Sequence, residues 1–290
     1  MIKELVYTVK YILGKDLAGR NLTVFPDDTF IVSYPRSGNT WTRFLVANLL
    51  YPGQPVTFAN IERLIPDIDL NSKRFLNRLP RPRVLKSHEY FDRRYSQLVY
   101  IVRDPRDVAL SFYHFYMKLG RIADGYSIEQ YVARFLTREF DIYGCWGENV
   151  ASWLATRYNS RGFLLLRYED MIDQPCRELA RVAAFLGLEA DSERLWRAVE
   201  RSSAENMRRM EKSQSDVWVV TKKARKDIPF VGFASAGQWK SGLPESCVAA
   251  IESAWGHLMK ALGYELSTSP APSPSASLFA LPANRGQTDE

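Results

Sequence analysis

Cysteine is scarce in this chain of 290 residues, with three in all, Cys145, Cys176 and Cys247. They are far apart and odd in number, and no CxxC pair occurs, so a disulfide framework and a cysteine-based zinc site are both excluded. A reducing, cytoplasmic compartment is expected. Long apolar runs are missing as well: no stretch reaches the roughly 18 residues that a membrane-spanning helix needs. Lys3, Glu4, Lys10, Lys15 and Asp16 interrupt the N-terminal segment, so no signal peptide is expected. No Lys/Arg run reads as a nucleic-acid arm, and no basic stripe interleaves with aromatics, so a nucleic-acid partner is not expected. The nucleotide-binding pattern GxxxxGK[ST] is also absent. Without its Lys-Ser/Thr pair the chain lacks the usual β,γ-phosphate and magnesium groups.

Hydrophobic residues at 46% leave ample material for one sizeable core, and a single α/β domain of this length is ordinary. Residues 29–34 read as a buried strand and 40–50 as an apolar helix. Two more strands are expected at 83–87 and 97–103. Asp104 is a good N-cap and Pro105 a good first residue for a helix running to about 119. Helices near 127–138 and 146–158, a strand at 162–167, and helices at 174–187 and 191–200 follow. Residues 211–230 lack periodicity and read as a mobile loop, and 244–263 as a final amphipathic helix. Strands alternating with helices imply a central parallel sheet flanked by helices. The expected organisation is an N-terminal helix over 1–20, a domain over 21–266 and a disordered Ser/Pro/Ala-rich tail over 267–290. In the first segment Ile2, Leu5, Val6, Val9, Ile12 and Leu13 share one helical face. That face suits docking on the domain, and it also admits peripheral contact with a membrane.

The most informative segment is Tyr34-Pro35-Arg36-Ser37-Gly38-Asn39-Thr40-Trp41. Strand, small-residue loop, helix is the arrangement that cradles a phosphate. Gly38 permits a tight turn and close backbone approach. The amides from Gly38 to Trp41 point at an anion from a helix N-terminus. Ser37, Asn39 and Thr40 add side-chain donors, and Arg36 adds a fixed positive charge. A loop this short suits one phosphate without a metal.

This loop resembles the 5′-phosphosulfate loop of sulfotransferases that use 3′-phosphoadenosine 5′-phosphosulfate (PAPS). Four further segments match in family order, over roughly residues 29–265. Val84-Leu85-Lys86-Ser87-His88 resembles the strand end with the family's catalytic histidine. Residues 100–111, from Tyr100 to Ser111, resemble the 3′-phosphate signature. Leu166-Arg167-Tyr168-Glu169-Asp170-Met171 resembles a segment whose tyrosine lies near the base. Gly237-Gln238-Trp239-Lys240 resembles a last element near the C-terminus. Departures are Arg36 for the family's usual Lys, Asn39 for its Thr, Ala204 for an aromatic, and Gly232 to Ala236 in place of an Arg-Lys-Gly. Arg225 and Lys226 lie upstream, and register does not settle whether they replace those charges.

The resemblance implies sulfuryl transfer to a hydroxyl or amine by in-line displacement, with His88 as base and Arg36 and Lys86 beside the transferring group. It implies a donor site of Arg36, Ser37, Gly38, Asn39, Thr40, Trp41, Arg103, Ser111, Tyr168, Ser202, Gly237 and Trp239. The product would be adenosine 3′,5′-bisphosphate (PAP), and no metal is expected. Arg106 and Asp107 read as a solvated helix start. Phe58, Ile61, Phe91, Phe115 and Trp218 are candidate linings for a small-molecule, lipid or glycan acceptor. The competing readings are a small-molecule kinase and a non-catalytic nucleotide-binding protein.

Overall fold

A computed structural model describes residues 16–267, apart from 138, 140, 141 and 233. The expected N-terminal helix lies almost wholly outside the described residues, as does the expected tail. The elements in chain order are β1 (Thr29–Ser33), α1 (Asn39–Leu50), α2 (Ile61–Leu64), α3 (Lys73–Leu76), β2 (Val84–Ser87), β3 (Gln97–Val102), α4 (Pro105–Lys118), α5 (Ile128–Leu136), α6 (Trp146–Arg157), β4 (Phe163–Arg167), α7 (Tyr168–Asp173), α8 (Pro175–Phe185), α9 (Ser192–Arg201), α10 (Ala204–Gln214), α11 (Trp239–Gly242) and α12 (Glu245–Ala261).

The four strands form one parallel sheet in the order β2-β1-β3-β4. Successive side chains of a strand point to opposite faces, and here both faces are buried. Phe30, Val32, Leu85, Leu98 and Tyr100 pack with Phe112, Tyr131, Trp146, Trp153 and Ile251, which come from α4, α5, α6 and α12. Ile31, Val99, Ile101 and Leu166 pack on the other side with Phe44, Val182 and Ala198, from α1, α8 and α9. The single α/β layer structure expected from the alternation is therefore present. No helix among the described residues is long and apolar enough to cross a membrane.

The register aligns Val32 with Ser87 and Ser33 with Ile101. Three strands thus end together, and the residues that follow them, from Tyr34, His88 and Arg103 onward, emerge at one edge. Because the chain passes from β2 over β1 to β3, this edge is a topological switch point, where α/β sheets open a crevice for ligands.

Two expectations need correction. Arg106 and Asp107 are buried rather than solvated. Arg106 bridges Asp104 and Glu252 at 2.6 and 2.5 Å, its guanidinium lying 3.7 Å from the centre of the Trp239 ring. Asp104 also caps α4, accepting a bond from the Arg106 amide, as expected. Residues 211–230 begin as the last turn of α10, and Trp218 and Thr221 are buried. Trp218 packs on Phe58 and Phe230. Periodicity misses such a segment because isolated side chains, spaced irregularly, anchor it.

Removing one member of a buried ion pair leaves its partners uncompensated. Arg106→Ala should therefore destabilise the fold by about 3–5 kcal/mol, measured by urea unfolding.

Candidate active site

A cavity of about 600 Å³ opens at the switch point. Its floor is the turn after β1. Gly38 has φ +95° and caps α1 from the left-handed region, which residues with a Cβ rarely adopt. A Cβ there would stand 2.5 Å from Cδ2 of Tyr168, so the glycine is required twice, for backbone and for space. Helix geometry leaves the amides of Asn39, Thr40 and Trp41 without intrahelical acceptors, and the helix dipole adds partial positive charge there. Arg36 itself has φ +67°, a strained conformation for a non-glycine residue, of the kind that concentrates at functional sites.

Two arginines dominate the electrostatics. Arg36 donates from Nε to Ser111 Oγ at 3.2 Å and from Nη2 to the Phe230 carbonyl at 3.4 Å. Its guanidinium lies 4.6 and 4.8 Å from the ring centres of Phe115 and Phe230. Burial and the neighbouring charge of Arg103 push it down to about 10, which leaves it protonated at neutral pH. Arg103 donates to the Arg36 carbonyl and stacks on Tyr168, 4.4 Å from the ring centre. Its nearest carboxylate, Asp107, is 3.7 Å away. Arg103 Nε and Ser37 Oγ are buried without a hydrogen-bond partner. The two adjacent guanidiniums and the helix-end amides form a donor set for phosphate and sulfate oxygens.

His88 stands across the cavity at the end of β2. Its Nδ1 lies 2.7 Å from the Ser33 carbonyl oxygen. A carbonyl can only accept, so Nδ1 carries the proton and Nε2 keeps a free lone pair. Burial and the charge of Lys86 hold the imidazole well below its ordinary range, so it is neutral at physiological pH. Lys86, also lining the cavity, is ion-paired at 2.6 Å with Asp67.

Of the expected site residues, Arg36, Gly38, Asn39, Thr40, Trp41, Lys86, His88, Arg103, Ser111, Tyr168, Phe115 and Trp218 line this one cavity. Asn39, although it lines the cavity, contributes no side-chain donor to a phosphate, because its amide nitrogen faces Ile31 O, Ser33 Oγ and Ser87 O. Other expected residues lie outside the lining. Ser37 is wholly buried beneath the turn. Ser202 is buried too, its hydroxyl accepting from Asn48 and its carbonyl from the Trp41 indole. It orients Trp41 from behind. Gly237 and Trp239 donate their amides to Asp107 and lie outside the cavity, while Gln238 between them lines it. Phe58 and Ile61 are core residues under α1, and Phe91 packs on Trp153. Arg225 is ion-paired with Asp124 and Asp227, and Lys226 with Asp216, so neither reaches the cavity.

Sequence reasoning missed Asp67, His114 and Phe230, which also line it. It missed the fastening of residues 225–231 as well. Lys118 donates to the Arg225 and Ile228 carbonyls, and Glu211 accepts the Phe230 and Val231 amides. No local motif encodes pairings this distant. The one available signal is a Lys and a Glu in otherwise patterned helices, and it does not name partners.

A family model described as the sulfotransferase domain matches residues 26–263. Among curated relatives, sulfotransferase 1B1 of Canis lupus familiaris is 30% identical over 199 residues, covering 63% of this chain and 67% of that protein. Sulfotransferase 1E1 of Mus musculus is 26% identical over 236 residues, 76% of this chain and 79% of the relative. Among solved structures, mouse sulfotransferase SULT7A1 complexed with PAP has a TM-score of 0.68 at 20% identity, covering 84% of this chain and 87% of its own. A retinol dehydratase in complex with androsterone and PAP also scores 0.68 at 20% identity, covering 84% and 83%.

Gly38→Ala should weaken PAP binding at least about tenfold, because the added methyl group displaces the Tyr168 ring that supports Arg103. Isothermal calorimetry reads this directly.

Proposed function

The chain belongs to the sulfotransferase family, and on that premise we propose that its cavity holds PAPS between Arg36 and Arg103 while His88 faces the acceptor. The enzyme transfers a sulfuryl group from that donor. The observation that carries the residue assignment is a pair of adjacent guanidiniums, Arg36 and the loosely paired Arg103, opposite a neutral histidine in the same cavity.

The donor's residues fit as follows. Arg36 and the α1 amides hold the 5′-phosphosulfate. Arg103 and Ser111 hold the 3′-phosphate, with Ser111 also bonded to Arg36, so the two grips are mechanically linked. Trp41, fixed by its bond to the Ser202 carbonyl, offers an aromatic face to the adenine. The donor supplies an activated sulfuryl group; this chain's residues supply geometry and charge. His88 Nε2 takes the proton of the acceptor hydroxyl or amine as the new bond to sulfur forms. Arg36 meets the negative charge that develops on the departing phosphate, and Lys86 lies near the transferring oxygens. Preorganised donors aimed at developing charge are often the largest catalytic contribution. Arg36 keeps its proton throughout.

Phe115, Trp218, Phe230, Ile228 and Pro229 make one wall of the cavity apolar. This supports a small apolar alcohol, phenol or amine as acceptor, bound by burial with its reactive group turned to His88. A cytoplasmic setting belongs to the same proposal. The absence of GxxxxGK[ST] disfavours the kinase reading, and family membership disfavours the non-catalytic one.

His88→Ala should lower kcat at least about a hundredfold while PAP affinity is unchanged. Arg103→Ala should do the reverse and weaken PAP binding in calorimetry. A base works only when neutral. Since His88 is held well below 6.5, kcat/KM should stay level as pH falls from 8 through 6.5 and decline only below that. An acid limb centred near pH 7 would contradict the assignment.

A further inference from the structure

We propose that two buried asparagines, Asn39 and Asn149, are positioning residues that lock the orientation of His88. The inference rests on His88 being the base. Asn39 is 4% exposed and Asn149 is fully buried. Asn149 Nδ2 donates to the His88 carbonyl at 3.1 Å, and Asn39 Nδ2, whose two N–H groups are shared among three acceptors, reaches the Ser87 carbonyl at 3.4 Å. Those two oxygens belong to the two peptide groups on either side of the His88 Cα. Each peptide group is planar, so gripping both planes fixes the two soft dihedrals of His88 and with them the direction of its side chain. The Ser33 carbonyl then holds Nδ1 and fixes the ring's rotation.

Each asparagine is itself anchored. Asn39 Nδ2 also faces the Ile31 carbonyl and Ser33 Oγ, both at 3.2 Å. Asn149 Nδ2 also donates to the Tyr143 carbonyl at 3.2 Å, and its Oδ1 accepts from Tyr100 Oη at 2.8 Å. The carbonyl partners settle which end of each amide is nitrogen, because a carbonyl cannot donate. Tyr143, the second acceptor for Asn149, lays its ring against His88 with centroids 5.5 Å apart. The lock also crosses the site. Asn39 is the first residue of α1, directly after the turn that carries Arg36 and Gly38, so one amide ties the phosphate turn to the strand end bearing the base. An isosteric change to aspartate keeps each side chain's shape and removes the donor.

The test compares Asn39→Asp, Asn39→Ala and Asn149→Ala with the wild type. Misplacing a reacting group by about an ångström costs on the order of a hundredfold, so each variant should lose about 10- to 100-fold in kcat. PAP affinity should stay within about threefold in Asn39→Ala and Asn149→Ala, which remove no phosphate contact and add no charge. Placed in the His88→Ala background, the Asn39 changes should cause no further loss, as expected for residues that act through His88. Proton–nitrogen NMR should show a slowly exchanging Nδ1–H of His88 in the wild type that exchanges faster in each variant. That readout needs no turnover. If His88→Ala remained active while the protected Nδ1–H was present and asparagine-dependent, the base assignment would fall and the lock would stand. The lock itself is overturned if kcat survives with only the melting temperature lowered. It is equally overturned if PAP affinity falls in step with kcat in the two alanine variants, or if the Nδ1–H signal ignores the substitutions. Asn39→Asp, a substitution of equal size, keeps the question open to an answer should Asn149→Ala not fold.

Discussion

Two like charges held side by side in a protein interior are the constraint on which this structure turns. Arg103 lies close enough to Arg36 to disfavour its charge, and the one carboxylate paired with Arg103, Asp107, stands 3.7 Å off. Elsewhere the fold neutralises its buried cations tightly: Arg83 by Asp28, Arg106 by Asp104 and Glu252, Lys118 by Glu211. The exception is Arg36, at the switch point of the sheet beside helix-end amides and the loosely paired Arg103. Buried charge without a partner is unfavourable, so a protein that maintains it stores affinity for an anion. Much of the surrounding architecture serves to hold that arrangement. Tyr168 supports Arg103 and closes over Gly38, Phe115 and Phe230 flank Arg36, and the Lys118–Glu211 pair fastens Phe230.

The histidine opposite is shaped by the same field. Positive charge nearby and burial both disfavour its protonated form, and the Ser33 carbonyl selects the tautomer with Nε2 free. The burial and positive charge that suit an anionic ligand therefore also keep this imidazole neutral. Lys86 is the foremost of those charges, even though it is itself paired with the buried Asp67. The paired guanidiniums and the neutral imidazole are thus one electrostatic arrangement, joined through the turn after β1.

Many of the elements were legible from the chain alone. The strand-turn-helix at residues 29–50 is local: a run of apolar residues, a glycine that tolerates positive φ, then a helical period. Asp104 and Pro105 mark a helix start by short-range chemistry, and the structure follows them. Arg103 and Ser111 share the cavity because their spacing is set by one strand end and two helical turns. The other expected residues have a different character. Asn39, Ser202, Gly237 and Trp239 sit within the right segments, yet their polar groups turn to protein partners. Phe58 and Phe91 are aromatic and near the site in sequence order, but they fill the core beneath it.

By itself the sequence determined what depends on covalent neighbours: which stretches become strands and helices, where they start, and which residues carry charge or permit a tight turn. Tertiary structure decided which of those charges were to be neutralised and which left facing the cavity. It also decided which face of each side chain met a ligand and which met the core. The physical reason is that hydrogen bonds and ion pairs are chosen among whatever groups the packed sheet brings within about 3 Å. For Arg36 and Phe230, or Lys118 and Glu211, that proximity exists only once the layers have closed.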